Sequence, residues 1–167
     1  MAEIGRGAGV VARVSFVFIR WLGISVLLNL AWEIAQLPLY AIYVEGDLRT
    51  IAFAVAHCTA GDAVIAALTF VVAAAVARSW RWPVERPWPG LAAAIPAGMA
   101  YTAFSEWLNV SVRGAWAYAA AMPQVVGIGV APLLQWLFVP GLALLLLRVG
   151  DRPGRRLSTS SRNERRQ

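Results

Sequence analysis

The sequence of 167 residues has no lysine, and cysteine and histidine occur once each, as Cys58 and His57. A single cysteine excludes a disulfide within the chain. A single histidine excludes a haem held by two histidines of one chain, and a metal site built from histidines alone would need a second subunit. The sequence also has no nucleotide-binding motif. The cofactor that remains open is a divalent metal held mainly by carboxylates.

Charged residues are the other deficit, at 14% of the chain against about 25% in a typical soluble domain. Hydrophobic residues make up 59%, so the chain lacks the residues for the charged surface of a soluble protein. The sequence pI near 10.7 would also suit a nucleic-acid-binding protein. However, the arginines flank apolar runs and do not alternate with base-stacking aromatics, so we expect the lipid bilayer, and not nucleic acid, as the partner.

Four apolar stretches are each long enough to cross a hydrocarbon layer, which takes about 20 residues. They predict an all-α, polytopic transmembrane bundle of about four spans within a single domain, residues 1–150. Residues 151–167 are rich in Ser and Arg and predict a disordered basic cytoplasmic tail. The four predicted spans are residues 14–40, 50–77, 91–110 and 130–149.

Arginine is concentrated on alternate segments of this chain. The last twenty residues contain seven of the fifteen arginines, whereas the first and third connections contain one each, Arg49 and Arg113. The other arginine-rich segments are the N-terminus, with Arg6 and Arg13, and the second connection. By the positive-inside rule, this pattern predicts a multi-pass membrane protein with both termini in the cytoplasm.

Polar residues form stripes inside the predicted spans. In the first span Asn29, Glu33 and Gln36 follow one helical face, and in the third span Glu106 and Asn109 share a face. The second span contains His57 and Asp62, and the fourth contains Gln135.

The energetic cost of these residues is informative. Glu33, Asp62 and Glu106 together would cost on the order of 9 kcal/mol if they faced lipid. We therefore expect their side chains to converge on one interior region in the outer half of the bundle. In that region His57 is expected at the border and Gln135 on the side of the fourth span.

The third connection, residues 111–129, follows directly after Glu106 and is predicted to cover this region. Its candidate site residues are Arg113, Trp116 and Tyr118, with Arg113 as the compensating charge for a carboxylate. The sequence leaves open whether the connection lies in the membrane interface or re-enters the bilayer. It also leaves open a simpler interpretation, in which amides such as Asn29, Gln36 and Asn109 only join helices and the aromatics only anchor the interface.

Four segments resemble those of small, uncharacterised bacterial four-helix membrane proteins. They are Asn29-Leu-Ala-Trp-Glu33, His57-Cys-Thr-Ala-Gly-Asp62, Glu106 to Met122-Pro123, and Pro132-Leu-Leu-Gln-Trp136. The resemblance covers roughly residues 20–140 and implies a family but no activity. It also implies a location in a bacterial inner membrane. A weaker resemblance is to membrane carotenoid-modifying proteins of the small helical lycopene cyclase type, which also place acids in short spans near aromatic loops. This sequence lacks an adjacent pair of acids, which sets it apart from them.

Three functions fit these residues. In the first, the chain is an enzyme acting on an apolar lipid or isoprenoid: Glu33 and Glu106 are general acid and base or stabilise a cationic intermediate, Asp62 and His57 relay protons, and the other polar residues bind substrate. In the second, Glu33, His57, Asp62 and Glu106 bind or transport a divalent metal or protons, in a homodimer. In the third, the chain is a structural or assembly subunit of a membrane complex.

Overall fold

A computed structural model describes the backbone of residues 2–150 and the side chains from residue 12 onward. The predicted tail, residues 151–167, and the side chain of Arg6 lie outside the described part. The described chain is mostly helical, with a single short hairpin. Its α-helices are α1 (Ala2–Gln36), α2 (Ile42–Glu45), α3 (Leu48–Ala77), α4 (Trp82–Glu85), α5 (Pro87–Glu106) and α6 (Val130–Gly150).

Three segments of the described chain are long and apolar enough to cross a membrane: Ala12–Leu39, Leu48–Ala77 and Val130–Gly150. They coincide with three of the four predicted spans, and the helical, membrane-compatible character of the chain is confirmed. The third predicted stretch forms α5 but does not reach the same apolarity. Its three prolines and its final Glu106 lower the average hydropathy of a 20-residue helix.

Local sequence explains where the long helices begin and end. Asp47 caps α3, because its carboxylate accepts a hydrogen bond from the backbone N–H of Thr50 at 2.7 Å. The helix ends at Arg78, which adopts a left-handed conformation with φ of 52°. α5 begins with Pro87, whose fixed φ suits the first turn of a helix. Beyond Glu106 the chain continues as a π-helical segment, Trp107–Val112.

The four long helices are arranged in a ring. α1 packs against α3 and α6, and α5 packs against the same two helices from the opposite side. The connection between α3 and α5, the start of α1 and the end of α6 lie at one end of this bundle, which we call the tail end. The connections of residues 37–47 and 107–129 lie at the other, which we call the loop end.

The half of the bundle towards the tail end is filled by a hydrophobic core, which we call the aromatic half. Trp21, Phe70 and Trp82 are its largest members and are almost fully buried. Their ring centroids are 4.8 to 6.1 Å apart. Glycine allows this packing: a Cβ on Gly90 would lie 2.0 Å from the Trp82 ring. The remaining buried members are Ala73, Ala74, Ala77, Ala94, Ala143, Leu144 and Leu147.

The connection of residues 107–129 folds back over the loop end. Tyr40 and Tyr118 pair in an antiparallel bridge. On either side of it the Ala41 N–H donates to the Ala117 carbonyl and the Ala119 N–H to the Leu39 carbonyl, both at 2.9 Å. A hairpin of β1 (Gln124–Val125) and β2 (Ile128–Gly129) then leads directly into α6. The connection is therefore fixed to the segment that directly follows α1.

Candidate functional site

Gln135 connects three helices in the interior of the bundle. Its amide nitrogen on α6 donates to the Asn29 oxygen on α1 at 3.0 Å and to an Asp62 carboxylate oxygen on α3 at 2.7 Å. All three side chains are buried. Each lies on the helical face that its apolar neighbours turn towards the bundle, which is why they meet. The predicted positions of Asp62 and Gln135 on a shared interior region agree with this geometry.

Glu33 lies one turn beyond Asn29 on α1 and is only partly buried. The Gln36 amide donates to its carboxylate at 2.8 Å, and the Trp32 indole N–H donates to the Gln36 oxygen at 3.1 Å. The Glu33 carboxyl group also interacts with the side chains of Asp62 and Gln135. Two acids that are 29 positions apart in the sequence are therefore neighbours.

Glu106 is the third acid and is buried at the end of α5. The Tyr118 hydroxyl donates to its carboxylate at 2.5 Å, and the backbone N–H of Gly129 donates to the Tyr118 oxygen at 2.9 Å. Trp116 and Tyr40 also face this carboxyl group. Glu106 lies within electrostatic range of Glu33. The three predicted acids therefore belong to one polar region, with Glu106 nearest the covering loop.

Tyr118 has an altered acidity in this setting. Burial raises the pKa of its phenol above the ordinary value, and the hydrogen bond to Glu106 raises it further, because ionisation would remove the donated proton and place two negative charges together. Tyr118 is thus held as a neutral donor. The Gly129 N–H occupies its oxygen as an acceptor, so the phenol proton points at Glu106.

Other predicted site residues lie elsewhere. His57 is exposed and stacks on the Phe53 ring, with the centroids 5.8 Å apart, so the structure does not bring it to the acids. Arg113 is exposed, and the partner of Glu106 is Tyr118. Asn109 donates to the Ser105 carbonyl at 2.9 Å within its own helical segment, which indicates a local structural role.

The metal hypothesis required Glu33, His57, Asp62 and Glu106 to act as ligands together. In the described part of the chain, no group of three or more His, Cys, Asp or Glu side chains is arranged to hold a metal ion. The hydrogen-bond donors to the acids are instead the amides of Gln36 and Gln135 and the phenol of Tyr118.

Sequence reasoning missed three neighbours of the acids. Trp32 lies one turn before Gln36, so the hydrogen bond between them follows ordinary i, i+4 spacing and could have been predicted. Cys58 lies within electrostatic range of all three acids. Tyr40 lies beside Glu106 only because the connections at the loop end fold together. No sequence pattern predicts this contact.

In comparisons with known proteins, no family model, curated protein or solved structure matches the chain.

Proposed function

We propose that the chain is a four-span integral membrane protein of a bacterial inner membrane, with both termini cytoplasmic, that carries out acid–base chemistry on an apolar lipid or isoprenoid. The observation that carries the chemical part is the pairing of Glu33, which is partly exposed, with Asp62, which is buried behind it. One acid can reach a ligand at the bundle surface while the other exchanges a proton with it in the interior.

The position of α5 supports four spans. α5 packs along both α3 and α6, which are long and apolar enough to cross a membrane. Its 20 residues extend about 30 Å at 1.5 Å per residue, the thickness of the hydrocarbon layer. A helix that lies beside two spanning helices over this length would cross with them. Its polar residues Thr102 and Glu106 are buried, so the bundle shields them from lipid.

The paired acids suit proton transfer. Two carboxyl groups in a medium of low dielectric constant repel each other when both are ionised, so the pair favours holding one shared proton. Such a pair contains an acid and a base side by side. We propose that Glu33 holds this shared proton and donates it to a carbon–carbon double bond, forming a C–H bond and a carbocation, and that the pair is reprotonated through Asp62 once the cation has lost a proton to Glu106.

Glu106 is proposed as the base. Removing a proton from a carbon next to the cation would restore a double bond and transfer that proton to Glu106, so the two steps need no oxidant or reductant. Tyr118 would hold Glu106 in place through its hydrogen bond. The overall result is a rearranged double bond, and the protons gained and lost by the protein balance.

The surface next to Glu33 suits an apolar ligand. Trp32 and Phe138 stack there with ring centroids 6.0 Å apart, and Phe138 is 48% exposed. Trp32 is connected to Glu33 through Gln36. Aromatic faces attract cations, so this pair would stabilise a carbocation formed beside Glu33.

The test compares lipid extracts of a deletion strain expressing the wild-type chain or Glu33→Gln, Asp62→Asn or Glu106→Gln. Loss of a general acid or base lowers a rate by about 10²–10⁴-fold, so we expect the wild-type lipid profile to be lost in each site variant. Glu45→Gln is the matched control, because Glu45 is an exposed acid on α2, away from the cluster. All variants must reach the membrane in equal amounts.

The other functions give different results. Identical lipid profiles with and without the gene, in cells that show a deletion phenotype, would contradict the enzyme. A foreign protein crosslinked from positions 33 and 106 would support a subunit of a larger complex. Stoichiometric metal in the purified protein, lost in Glu33→Ala, would support metal binding.

A further inference from the structure

The buried polar side chains of the described chain are unevenly distributed along the bundle. Most of them lie towards the loop end, in what we call the polar half: Asn29, Gln36, Thr59, Asp62, Thr102, Glu106 and Gln135. Thr69 lies about 10 Å past Asp62 towards the tail end, at 1.5 Å per residue, and donates its hydroxyl to the Ala66 carbonyl of its own helix. Ser25, one turn before Asn29 on α1, is also buried, and nearer the tail end the half-buried Arg20 donates to the Leu147 carbonyl of α6 at 3.4 Å. The buried polar side chains that bond one another across helices therefore lie in the polar half.

Two buried side chains of the polar half have polar atoms without a protein partner. Asn29 is fully buried, and its amide nitrogen has no acceptor, while its oxygen is bonded to Gln135. Thr59 is 8% exposed, one turn from Asp62 on α3, and its hydroxyl has no partner. A buried donor left unpaired costs about 1–3 kcal/mol, so these groups indicate a site for small polar molecules such as water.

The aromatic half lies between the acid cluster and the tail end of the bundle. Trp136, directly after Gln135, packs with Ile65 and Ala66, one turn below Asp62. Beyond this layer lie the rings of Trp21, Phe70 and Trp82, together with buried alanines and leucines. The indole N–H groups of Trp21, Trp82 and Trp136 also lack acceptors, but each lies among rings and aliphatic side chains. Isolated donors of this kind do not form a continuous path for water.

We infer that water and protons reach the acid cluster from the loop end alone, and that the aromatic half seals it from the tail end. This inference deepens the proposed function and rests on it, because it names the side of the membrane that supplies and accepts the protons of the acid–base site. Tyr118, Tyr40 and Trp116 are partly exposed at the loop end and border the route to Glu106.

The test uses Ag⁺, a small monovalent cation that reacts with thiols and enters water-accessible regions. Membrane vesicles of both orientations are prepared from cells expressing the full chain, and a protease-sensitive tag after Gln167 shows which side carries the tail. Ag⁺ is added to one side, removed, and the remaining free thiols are counted with a maleimide after denaturation. Cys58 of the unaltered chain is the first probe, since it is the single cysteine and lies near the acids.

A matched pair of positions on α3 completes the design in a Cys58→Ser background. Thr59→Cys lies in the polar half and Ala73→Cys in the aromatic half, about 21 Å apart along the same helix, and both positions are buried. We expect Ag⁺ to block Cys58 and Thr59→Cys only from the side opposite the tail, and to leave Ala73→Cys free from both sides.

Three results would overturn the inference. Ag⁺ could block Cys58 or Thr59→Cys from the tail side, it could block them from neither side, or it could block Ala73→Cys to the same extent. Cys58 needs no substitution, so the result does not depend on whether the variants fold. The measurement also needs no enzyme activity. Unchanged lipid profiles would therefore contradict the proposed chemistry, but they would not affect the conclusion about the side from which Ag⁺ reaches the acid cluster.

Discussion

The amide of Gln135 donates to the Asp62 carboxylate at 2.7 Å, across the bundle from α6 to α3, although the two residues are 73 positions apart in the sequence. The same nitrogen reaches Asn29 on α1. Hydrogen bonds to charged groups contribute more to stability than neutral ones, and an acceptor left buried without a partner is costly. Gln135 therefore joins α1, α3 and α6 in the polar half.

Replacing Gln135 should destabilise the bundle. Gln135→Met keeps the length of the side chain but leaves Asp62 and Asn29 without their donor, so we expect a loss of about 1–3 kcal/mol in the free energy of unfolding. The measurement is chemical unfolding in detergent. Gln124→Met is the control, because Gln124 lies exposed on β1. Equal stability of the two variants would show that the Gln135 hydrogen bonds contribute nothing.

Removing the Tyr118 hydroxyl should loosen the covering loop. Tyr118→Phe loses the bonds to Glu106 and to the Gly129 N–H, while the bridge to Tyr40 stays. We expect faster backbone hydrogen exchange over residues 116–129 and faster tryptic cleavage at Arg113. Tyr43→Phe, at an exposed tyrosine of α2, should match the wild type. Unchanged exchange in Tyr118→Phe would mean that the backbone bridge alone fixes the loop.

The raised pKa of Tyr118 also predicts a pH dependence of stability. A group with a raised pKa in the folded state contributes stability below its unfolded value, about 10 for tyrosine, and loses it as the pH rises through the folded value. The wild-type protein should therefore lose stability above about pH 10, and Tyr118→Phe should lose less. Unfolding measured between pH 8 and 12 checks this, and parallel curves for the two proteins would contradict it.

Gly98 is predicted to be intolerant of a side chain. A Cβ at this position would lie 2.3 Å from the ring of Trp136, which is 1% exposed and cannot move aside. We expect Gly98→Ala to lower the free energy of unfolding by about 1–3 kcal/mol through overpacking. Gly141→Ala on α6 meets nothing within 4 Å and should be neutral or slightly stabilising. Thermal unfolding in detergent checks this. A lower stability for Gly98→Ala than for the wild type and Gly141→Ala would confirm the close approach of α5 and α6.

The proposed topology is tested by reporter fusions. Fusions after Ser158 and within residues 81–86 should report a cytoplasmic location, because arginine-rich segments stay on that side. Fusions at Gly46 and Ala119 should report an external location. An external C-terminus would mean an odd number of spans, with α5 outside the membrane or only partly inserted.

The sequence by itself determined the positions of the long helices and their compatibility with a membrane. Runs of about 20 or more apolar residues must satisfy their backbone groups internally in lipid, so they form helices whatever their neighbours are. The cost of facing lipid likewise made it predictable that Asp62 and Glu106 are buried in the bundle, whereas Glu33 remains partly exposed. The third stretch was less clear, because prolines and polar residues dilute the apolar signal of α5.

The partners of the acids were decided by the tertiary structure. Helical spacing places Asp62 and His57 on one span but does not say which of them meets the bundle interior, and packing turned Asp62 inward and left His57 against Phe53. Arg113 is nearer to Glu106 in sequence than Tyr118, yet Tyr118 is its partner. The bridge between Tyr118 and Tyr40 folds the loop over Glu106, and such pairing between distant backbone segments depends on the arrangement of the whole bundle.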